Sequence, residues 1–389
     1  SKPIKVVTDF SMPVAEERVA KVALVIIDPP IAAEGGRRFS EVFWSYNGGP
    51  DVLANQVRDS MNAVSGGAVR YEIVERFDEP QLLTRFGGTL LTVDSMYKLF
   101  KEPGLVTLHR VAEQLGHSEF LYNDLLNKYN FCDKSNNHQI DEIWVYAMPF
   151  IGMGEAAMTG TGAFNINGPV FSGNTCTDHL PIMGFNYERY LGCALHNMGH
   201  RIETTMYKLF PGQYRYVPSD PALPTGLTKN PFQLFMSYDA IDPGKAQVGN
   251  IHFPPNGVEN YDYDNGNFVQ TYGPNWKRYP FLFNQTETIN CSAWGCEIDC
   301  GQNFMAWWMR HIPHFKCKDR DGRLNNWWAY VIDYNEGKQL EAQTADCDCE
   351  IFEATAPVCA SKGVFPWHEW IAGVKLNDLD NPSSKSQYT

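Results

Sequence analysis

The chain has 389 residues, of which 43% are hydrophobic and 20% charged, and its formal net charge is −13. This length and apolar content supply a sizeable buried core and exclude a chain that is disordered throughout. The acidic balance argues against nucleic acid as a partner, because binding to phosphates needs a clustered positive surface. The longest apolar run, residues 22–27, is far shorter than the roughly 20 residues that cross a bilayer. We therefore expect a globular protein without a membrane span.

Strands and helices alternate in the first half of the chain. The hydrophobic patterns predict strands at 20–27, 69–74, 140–148 and 180–185 and helices at 50–64, 93–100 and 105–129. Alternation of this kind indicates a parallel sheet covered on both faces, and we predict an α/β fold with a Rossmann-like or flavodoxin-like core. In such folds, ligands bind at the carboxyl ends of the strands.

A helical pattern over residues 187–206 follows the fourth strand and carries His196 and His200. Side chains four residues apart share a helical face, about 6 Å apart, so that two imidazoles can bind one metal ion. Glu188 and Glu203 are predicted to lie within the same arc of roughly 120°. A metal site is one interpretation, and ordinary half-buried histidines hydrogen-bonded to carboxylates are the other.

The third metal ligand is less evident from the sequence. His252 precedes Pro254 and Pro255, which favour an extended backbone, and we predict it as the third ligand. His179, just before the fourth strand, is the rival candidate. Asn197 stands where the zinc proteases with an H-E-x-x-H helix have their general base, so a protease of that type is disfavoured.

The loop after the third strand, residues 149–169, is rich in glycine and carries Glu155. Its position at a strand end places Glu155 at the predicted functional edge of the sheet. The loop has neither a G-x-G-x-x-G fingerprint nor a Walker motif, and a nucleotide site is therefore disfavoured.

The second half of the chain is turn-rich and aromatic without a clear period. We place a domain boundary after residue 211, which gives an α/β domain of residues 1–211 and an irregular domain of residues 212–389. The pairs Trp307–Trp308 and Trp327–Trp328 are typical of a core, and a sugar-stacking platform is the alternative.

Ten cysteines, many of them in the second half, favour disulfides in an oxidising compartment. Structural zinc is the competing explanation, but no C-x-x-C pair is present. The sequons at Asn284 and Asn290 agree with secretion and N-glycosylation. We therefore predict a secreted, disulfide-stabilised glycoprotein.

These features together favour a zinc-dependent hydrolase. Catalytic Zn²⁺ held by three protein ligands activates water, and Glu155, Glu188 and Glu203 are the candidate general bases. Arg201, together with Arg189, is the candidate for binding a carboxylate or stabilising an oxyanion. The expected substrate is a small molecule, a peptide or a carbohydrate.

Two further classes of function remain open. A pair among the same three glutamates would suit a glycosidase that needs no metal. Alternatively, the chain is a carbohydrate-binding or self-assembling extracellular glycoprotein without catalysis, in which the histidines only pack.

Overall fold

The computed structural model describes residues 12–102, 114–115, 118–219, 229–280, 282, 285–319 and 321–347. The chain divides into two compact units. Val19–Ala63 and Arg70–Thr204 form one, which we call the α/β unit; Ser1–Arg18, Val64–Val69 and Thr205–Thr389 form the other, which we call the aromatic unit. The domain boundary expected after residue 211 stays a prediction.

A five-stranded, mostly parallel sheet forms the centre of the α/β unit. The strands up to residue 186 are β1 (Arg18–Ile27), β2 (Val69–Asp78), β3 (Thr84–Phe86), β4 (Thr89–Leu90), β5 (Glu119–Phe120), β6 (Glu142–Ala147), β7 (Ala156–Thr159) and β8 (Leu180–Asn186). The order in the large sheet is β2-β1-β6-β8-β7. Strands β1, β6 and β8 run parallel, and β7 is antiparallel to β8. Strands β3, β4 and β5 make a separate small sheet.

Helices connect these strands. They are α1 (Phe39–Phe43), α2 (Pro50–Val64), α3 (Val93–Lys101), α4 (Tyr122–Tyr129), α5 (Phe131–Asn136) and α6 (Leu191–Leu209). Helix α2 begins at Pro50, whose fixed φ suits the first helical position, and Asp51 in its first turn complements the helix dipole. Its side chains Leu53, Val57 and Met61 recur at four-residue spacing and are buried.

The predicted strands and helix α2 are confirmed, but one predicted helix is wrong. Where the pattern indicated one helix over residues 105–129, the described part contains strand β5 and the short helix α4, and helix α5 follows at Phe131. Asn130 separates α4 from α5 with φ of +54°, a left-handed conformation that ends a helix. Residues 105–113 and 116–117 of that prediction lie outside the described residues.

Helix α6 begins four residues later than the pattern indicated. Tyr187 directly follows β8 and donates its backbone N–H to the carbonyl of Ala147. Arg189 closes a turn by donating its backbone N–H to the carbonyl of Asn186. The helix therefore begins at Leu191 and extends to Leu209. As a consequence, Glu188 lies in the turn before the helix and not on the predicted helical arc.

The aromatic unit consists of short elements. They are α7 (Pro231–Phe235), β9 (Val269–Thr271), β10 (Glu287–Ile289), α8 (Cys300–Met309), β11 (His314–Lys318), β12 (Leu324–Asn326), α9 (Trp327–Ile332) and α10 (Tyr334–Leu340). Strands β9 and β10 pair antiparallel, as do β11 and β12. This region is as irregular as its sequence predicted.

The core of the aromatic unit is built from tryptophans. Trp276, Trp308, Trp327 and Trp328 are all less than 2% exposed. The ring of Phe235 contacts three of them at centroid distances of 4.9, 5.6 and 5.7 Å, each in an edge-to-face arrangement. Burial of Trp308, Trp327 and Trp328 confirms the interpretation that they belong to a core, whereas Trp307 is half-buried.

Three disulfides are present among the described residues: Cys132–Cys176, Cys296–Cys300 and Cys317–Cys347. In the same part of the chain Cys193 and Cys291 are free thiols. The side chain of Asn290 accepts a hydrogen bond from the backbone of Ser292, whereas the predicted sequon residue Asn284 lies outside the described residues. Within the described ranges, no helix is both long and apolar enough to cross a membrane.

Candidate metal centre

Helix α6 presents His196 and His200 on one face because its opposite side is anchored in the core. Leu195, Met198 and Ile202 are each at most 1% exposed. The two imidazoles follow one another by a helical turn, with ring centroids 4.6 Å apart and planes at 87°. Both histidines are half-buried, so that their rings are held in place yet reachable from solvent.

His252 is positioned by a compact turn. The side chain of Asn250 accepts hydrogen bonds from the backbone N–H groups of His252 and Phe253, both at 3.0 Å. Tyr261 donates its backbone N–H to the His252 carbonyl at 2.9 Å, and its ring lies 4.6 Å from the imidazole. The two prolines after His252 were expected to hold it, but this Asx turn orients the histidine.

The imidazoles of His196, His200 and His252 converge. One ring nitrogen from each lies within 4.8 Å of the others, and the three residues form a group that could hold a metal ion. Two nitrogens bound to one tetrahedral Zn²⁺ at about 2.1 Å would be about 3.4 Å apart. Small movements of the half-buried rings would bring the three nitrogens to the separation that zinc requires. The donor set therefore fits a transition metal.

Glu203 contacts His200, one of these three histidines. Its Oε2 atom lies 3.5 Å from Nδ1 of His200, and its side chain is 2% exposed. A carboxylate in this position favours a proton on Nδ1, which leaves Nε2 with a lone pair to donate. The prediction that Glu203 lies beside the histidines is thus consistent with its contact to His200.

Arg201 occupies a different environment from the one expected. Its guanidinium donates to Glu142 on β6 at 2.5 Å, and both side chains are at most 1% exposed. The indole of Trp144 donates to the other oxygen of the same carboxylate at 2.5 Å. Burial lowers the pKa of Arg201, but the negative charge of Glu142, the nearby Tyr71 and the hydrogen bond to Glu142 together raise it above its usual value, so the guanidinium stays charged. This buried pair ties helix α6 to the sheet.

Glu188 is buried in the turn before α6. Its Oε1 atom accepts from Nε of Arg189 at 3.3 Å, and its Oε2 atom has no hydrogen-bond partner within the part of the chain that the structure describes. Burial raises the pKa of this carboxyl group above its usual range. Such a group can hold and release a proton closer to neutral pH than an exposed glutamate.

Glu155 lies at the predicted strand-end edge of the sheet, immediately before β7. It accepts a hydrogen bond from Asn167 at 2.5 Å and lines a cavity of about 110 Å³ beside the end of β8 and the first turns of α6. Arg189 and Asn197 line the same cavity. The structure therefore places Glu155 in the lining of a cavity beside α6.

His179, the rival third ligand, lies apart from this group. It is 6% exposed and packs edge-on against Phe164, with ring centroids 5.7 Å apart. Among the described residues the group capable of metal binding contains only His196, His200 and His252.

Sequence reasoning missed the tyrosines around His252. The rings of Tyr216 and Tyr261 lie 5.4 and 4.6 Å from its imidazole. Tyr261 has φ of +65°, an unusual conformation for a residue with a side chain, and is 51% exposed. A run of tyrosine and aspartate at 261–264 was visible in the sequence, but nothing in it indicated contact with a histidine.

The chain matches no protein-family model, no curated protein and no solved structure.

Proposed function

We propose that the protein is a zinc-dependent hydrolase whose metal is held by His196, His200 and His252. The observation that carries this proposal is the convergence of three imidazole nitrogens within 4.8 Å. Three neutral imidazoles form a donor set that suits Zn²⁺, with Cu²⁺ and Ni²⁺ as chemically similar competitors. Zinc bound there would supply a Lewis acid that polarises a carbonyl or phosphoryl oxygen.

The protein's own residues would do the remaining work. Glu203 orients His200 through the contact between its carboxylate and Nδ1. Glu188 and Glu155 are the proposed proton carriers, the first because burial raises its pKa and the second because it faces the cavity beside α6. For Arg201 the role of binding an oxyanion lacks support, since its guanidinium is already engaged by Glu142 in the core.

The setting is proposed to be extracellular. Three disulfides support an oxidising compartment, and N-glycans at Asn284 and Asn290 complete that proposal. The strand order β2-β1-β6-β8, in which β1, β6 and β8 are parallel, supports a flavodoxin-like arrangement. A peptide, a carbohydrate or another small molecule is the proposed substrate.

Elemental analysis of protein purified without chelators or a histidine tag tests the metal site. We expect about one equivalent of zinc in the wild type and its loss in the double variant His196→Ala, His200→Ala and in the single variant His252→Ala. His138→Asn is the matched control, because His138 is 81% exposed outside this group and asparagine tolerates its φ of +53°. No metal in the wild type after zinc is added back would refute the site.

Hydrolysis is tested separately on the metal-loaded protein. A panel of ester, peptide, phosphoester and glycoside substrates should give at least one turnover signal that chelation removes and zinc restores. Glu188→Gln and Glu155→Gln should each be compared for turnover at equal metal content, since a lost proton carrier lowers the rate without removing metal. A metal-loaded protein that hydrolyses no class of substrate would leave a metal-binding role without catalysis.

A further inference from the structure

The cavity next to α6 is a second feature of the α/β unit, and the metal proposal uses it only through Glu155. It has a volume of about 110 Å³ and lies within the α/β unit, where the last residues of β8, Gly184 to Asn186, meet the loop before β7. Helix α6 closes it from the other side with Cys193 and Asn197. This position at the carboxyl end of a sheet strand is where α/β folds bind small ligands.

The cavity is lined by one charge of each sign. Glu155 approaches from the loop and Arg189 from the turn before α6, and the amides of Asn186 and Asn197 lie between these elements. Arg189 directs Nε to Glu188, and a guanidinium has five N–H donors in all. The Oε2 atom of Glu155 accepts a hydrogen bond from the Asn167 amide. The carboxylate can accept further hydrogen bonds from a ligand.

The Asn197 side chain and the backbone of the cavity wall are held in place before any ligand arrives. Asn197 donates its amide to the Gly184 carbonyl at 2.9 Å, and the Gly184 N–H donates to the Glu155 carbonyl at 2.9 Å. A Cβ atom at Gly184 would lie 2.2 Å from the Gly154 carbonyl oxygen, so glycine is needed for this close approach. Preorganisation of this kind lowers the entropy cost of binding.

Size and charge together restrict the ligand. A volume of about 110 Å³ admits several water molecules, or a molecule of only a few heavy atoms. A simple anion would be repelled by the Glu155 carboxylate, and a simple cation would be repelled by the Arg189 guanidinium. A ligand with both a carboxylate and an ammonium group satisfies the two side chains together.

We propose that this cavity binds a small zwitterion of the α-amino acid type. Its carboxylate pairs with Arg189, its ammonium group pairs with Glu155, and the amides of Asn186 and Asn197 contact the remaining polar atoms. The proposal does not depend on the metal, because none of the three histidines lines the cavity.

Cys193 provides a built-in reporter for the test. It is an exposed free thiol on the cavity wall, whereas the second free thiol among the described residues, Cys291, is not a lining residue. Alkylation by iodoacetamide is followed at both cysteines by peptide mass spectrometry. A ligand in the cavity should slow the reaction of Cys193 and leave that of Cys291 unchanged.

Three related small ligands separate the contributions of the two charges. Alanine carries both groups, propionate lacks the ammonium group, and ethylamine lacks the carboxylate. We expect alanine to protect Cys193 at millimolar concentration, with about tenfold weaker protection by each analogue, because each loses one charge-assisted contact. Arg189→Gln and Glu155→Gln should each weaken protection by alanine by about the same factor. Protection is taken as the ratio of rates with and without ligand in the same variant.

Several results would overturn the proposal. Equal protection by propionate and alanine would reduce the site to an anion site, and equal protection at Cys193 and Cys291 would show a non-specific effect. Equilibrium dialysis with radiolabelled glycine, alanine and serine measures binding without the thiol; the absence of saturable binding refutes the zwitterion site whatever Cys193 does. Metal content is unaffected by either outcome, so this test and the test of the metal site fail independently.

Discussion

At the scale of single residues, Glu203 is the side chain whose role follows most directly from its surroundings. A buried carboxylate lies 3.5 Å from Nδ1 of His200, where it favours a proton on Nδ1 and leaves Nε2 as the donor atom for the proposed metal. The carboxylate contributes through the histidine, so we regard Glu203 as a positioning residue for the metal site.

The first prediction concerns this contact. Glu203→Gln removes the negative charge but retains the shape, and we expect at least about a tenfold loss of zinc affinity, since carboxylates that contact a metal-binding histidine contribute that much. Competition with a chromogenic chelator measures the affinity, and circular dichroism verifies that the variant is folded. Glu155→Gln is the control, because Glu155 lines the cavity and is not part of the histidine group. Unchanged zinc affinity in Glu203→Gln would show that the contact does not tune the metal site.

At the scale of secondary-structure elements, the ion pair between Glu142 on β6 and Arg201 on α6 fixes the helix that carries two of the histidines. Both charges are desolvated, and they pair with each other. Removal of one partner leaves an uncompensated charge in the core, which costs far more than the pair contributes when intact.

The second prediction uses this asymmetry. Arg201→Met should lower the free energy of unfolding by about 3–5 kcal/mol, whereas the double variant Glu142→Gln, Arg201→Met should lose less than the sum of the two single variants. Urea denaturation measures both. Lys98→Met is the matched control, because the pair of Lys98 with Asp94 is exposed and should contribute at most about 1 kcal/mol. A loss in Arg201→Met no larger than that in Lys98→Met would contradict a buried charged pair.

At the scale of the whole molecule, groups buried in the aromatic unit contribute to the pH dependence of stability. Burial lowers the pKa of His311 from 6.5 to about 4, and its Nδ1 atom lies 2.8 Å from the Trp307 carbonyl. Burial raises the pKa of Asp319 from 3.8 to about 6. The two groups therefore act in opposite directions.

The third prediction isolates the histidine. Below pH 6.5 the unfolded state binds a proton at His311 that the folded state does not bind until about pH 4, so stability falls as the pH is lowered between these values. The difference corresponds to about 3 kcal/mol. His311→Gln should remove this component of the loss, as measured by the midpoint of thermal unfolding from pH 7 to pH 4. His138→Asn, at an exposed site, should behave as the wild type does; an identical pH profile in His311→Gln would contradict the prediction.

Local patterns predicted the elements that local forces control. The run at 20–27 and the helix at 50–64 match β1 and α2, because a continuous apolar run and a four-residue apolar period report burial directly. The start of α6 was predicted too early because the sequence around Glu188 continues the helical pattern. In the structure, the backbone N–H of Tyr187 donates a hydrogen bond to the Ala147 carbonyl, and the chain turns before the helix begins. Such a bond joins residues about 40 positions apart and has no local signature.

The sequence by itself determined the alternation of strands and helices, the irregular disulfide-containing second half and the shared helical face of His196 and His200, because all of these follow from spacing along the chain. Only the tertiary structure decided that His252 completes the group and His179 does not, and that Arg201 pairs with Glu142 in the core. The physical reason is that these contacts join residues far apart in the sequence. Their distances depend on how whole elements pack, which spacing along the chain does not report.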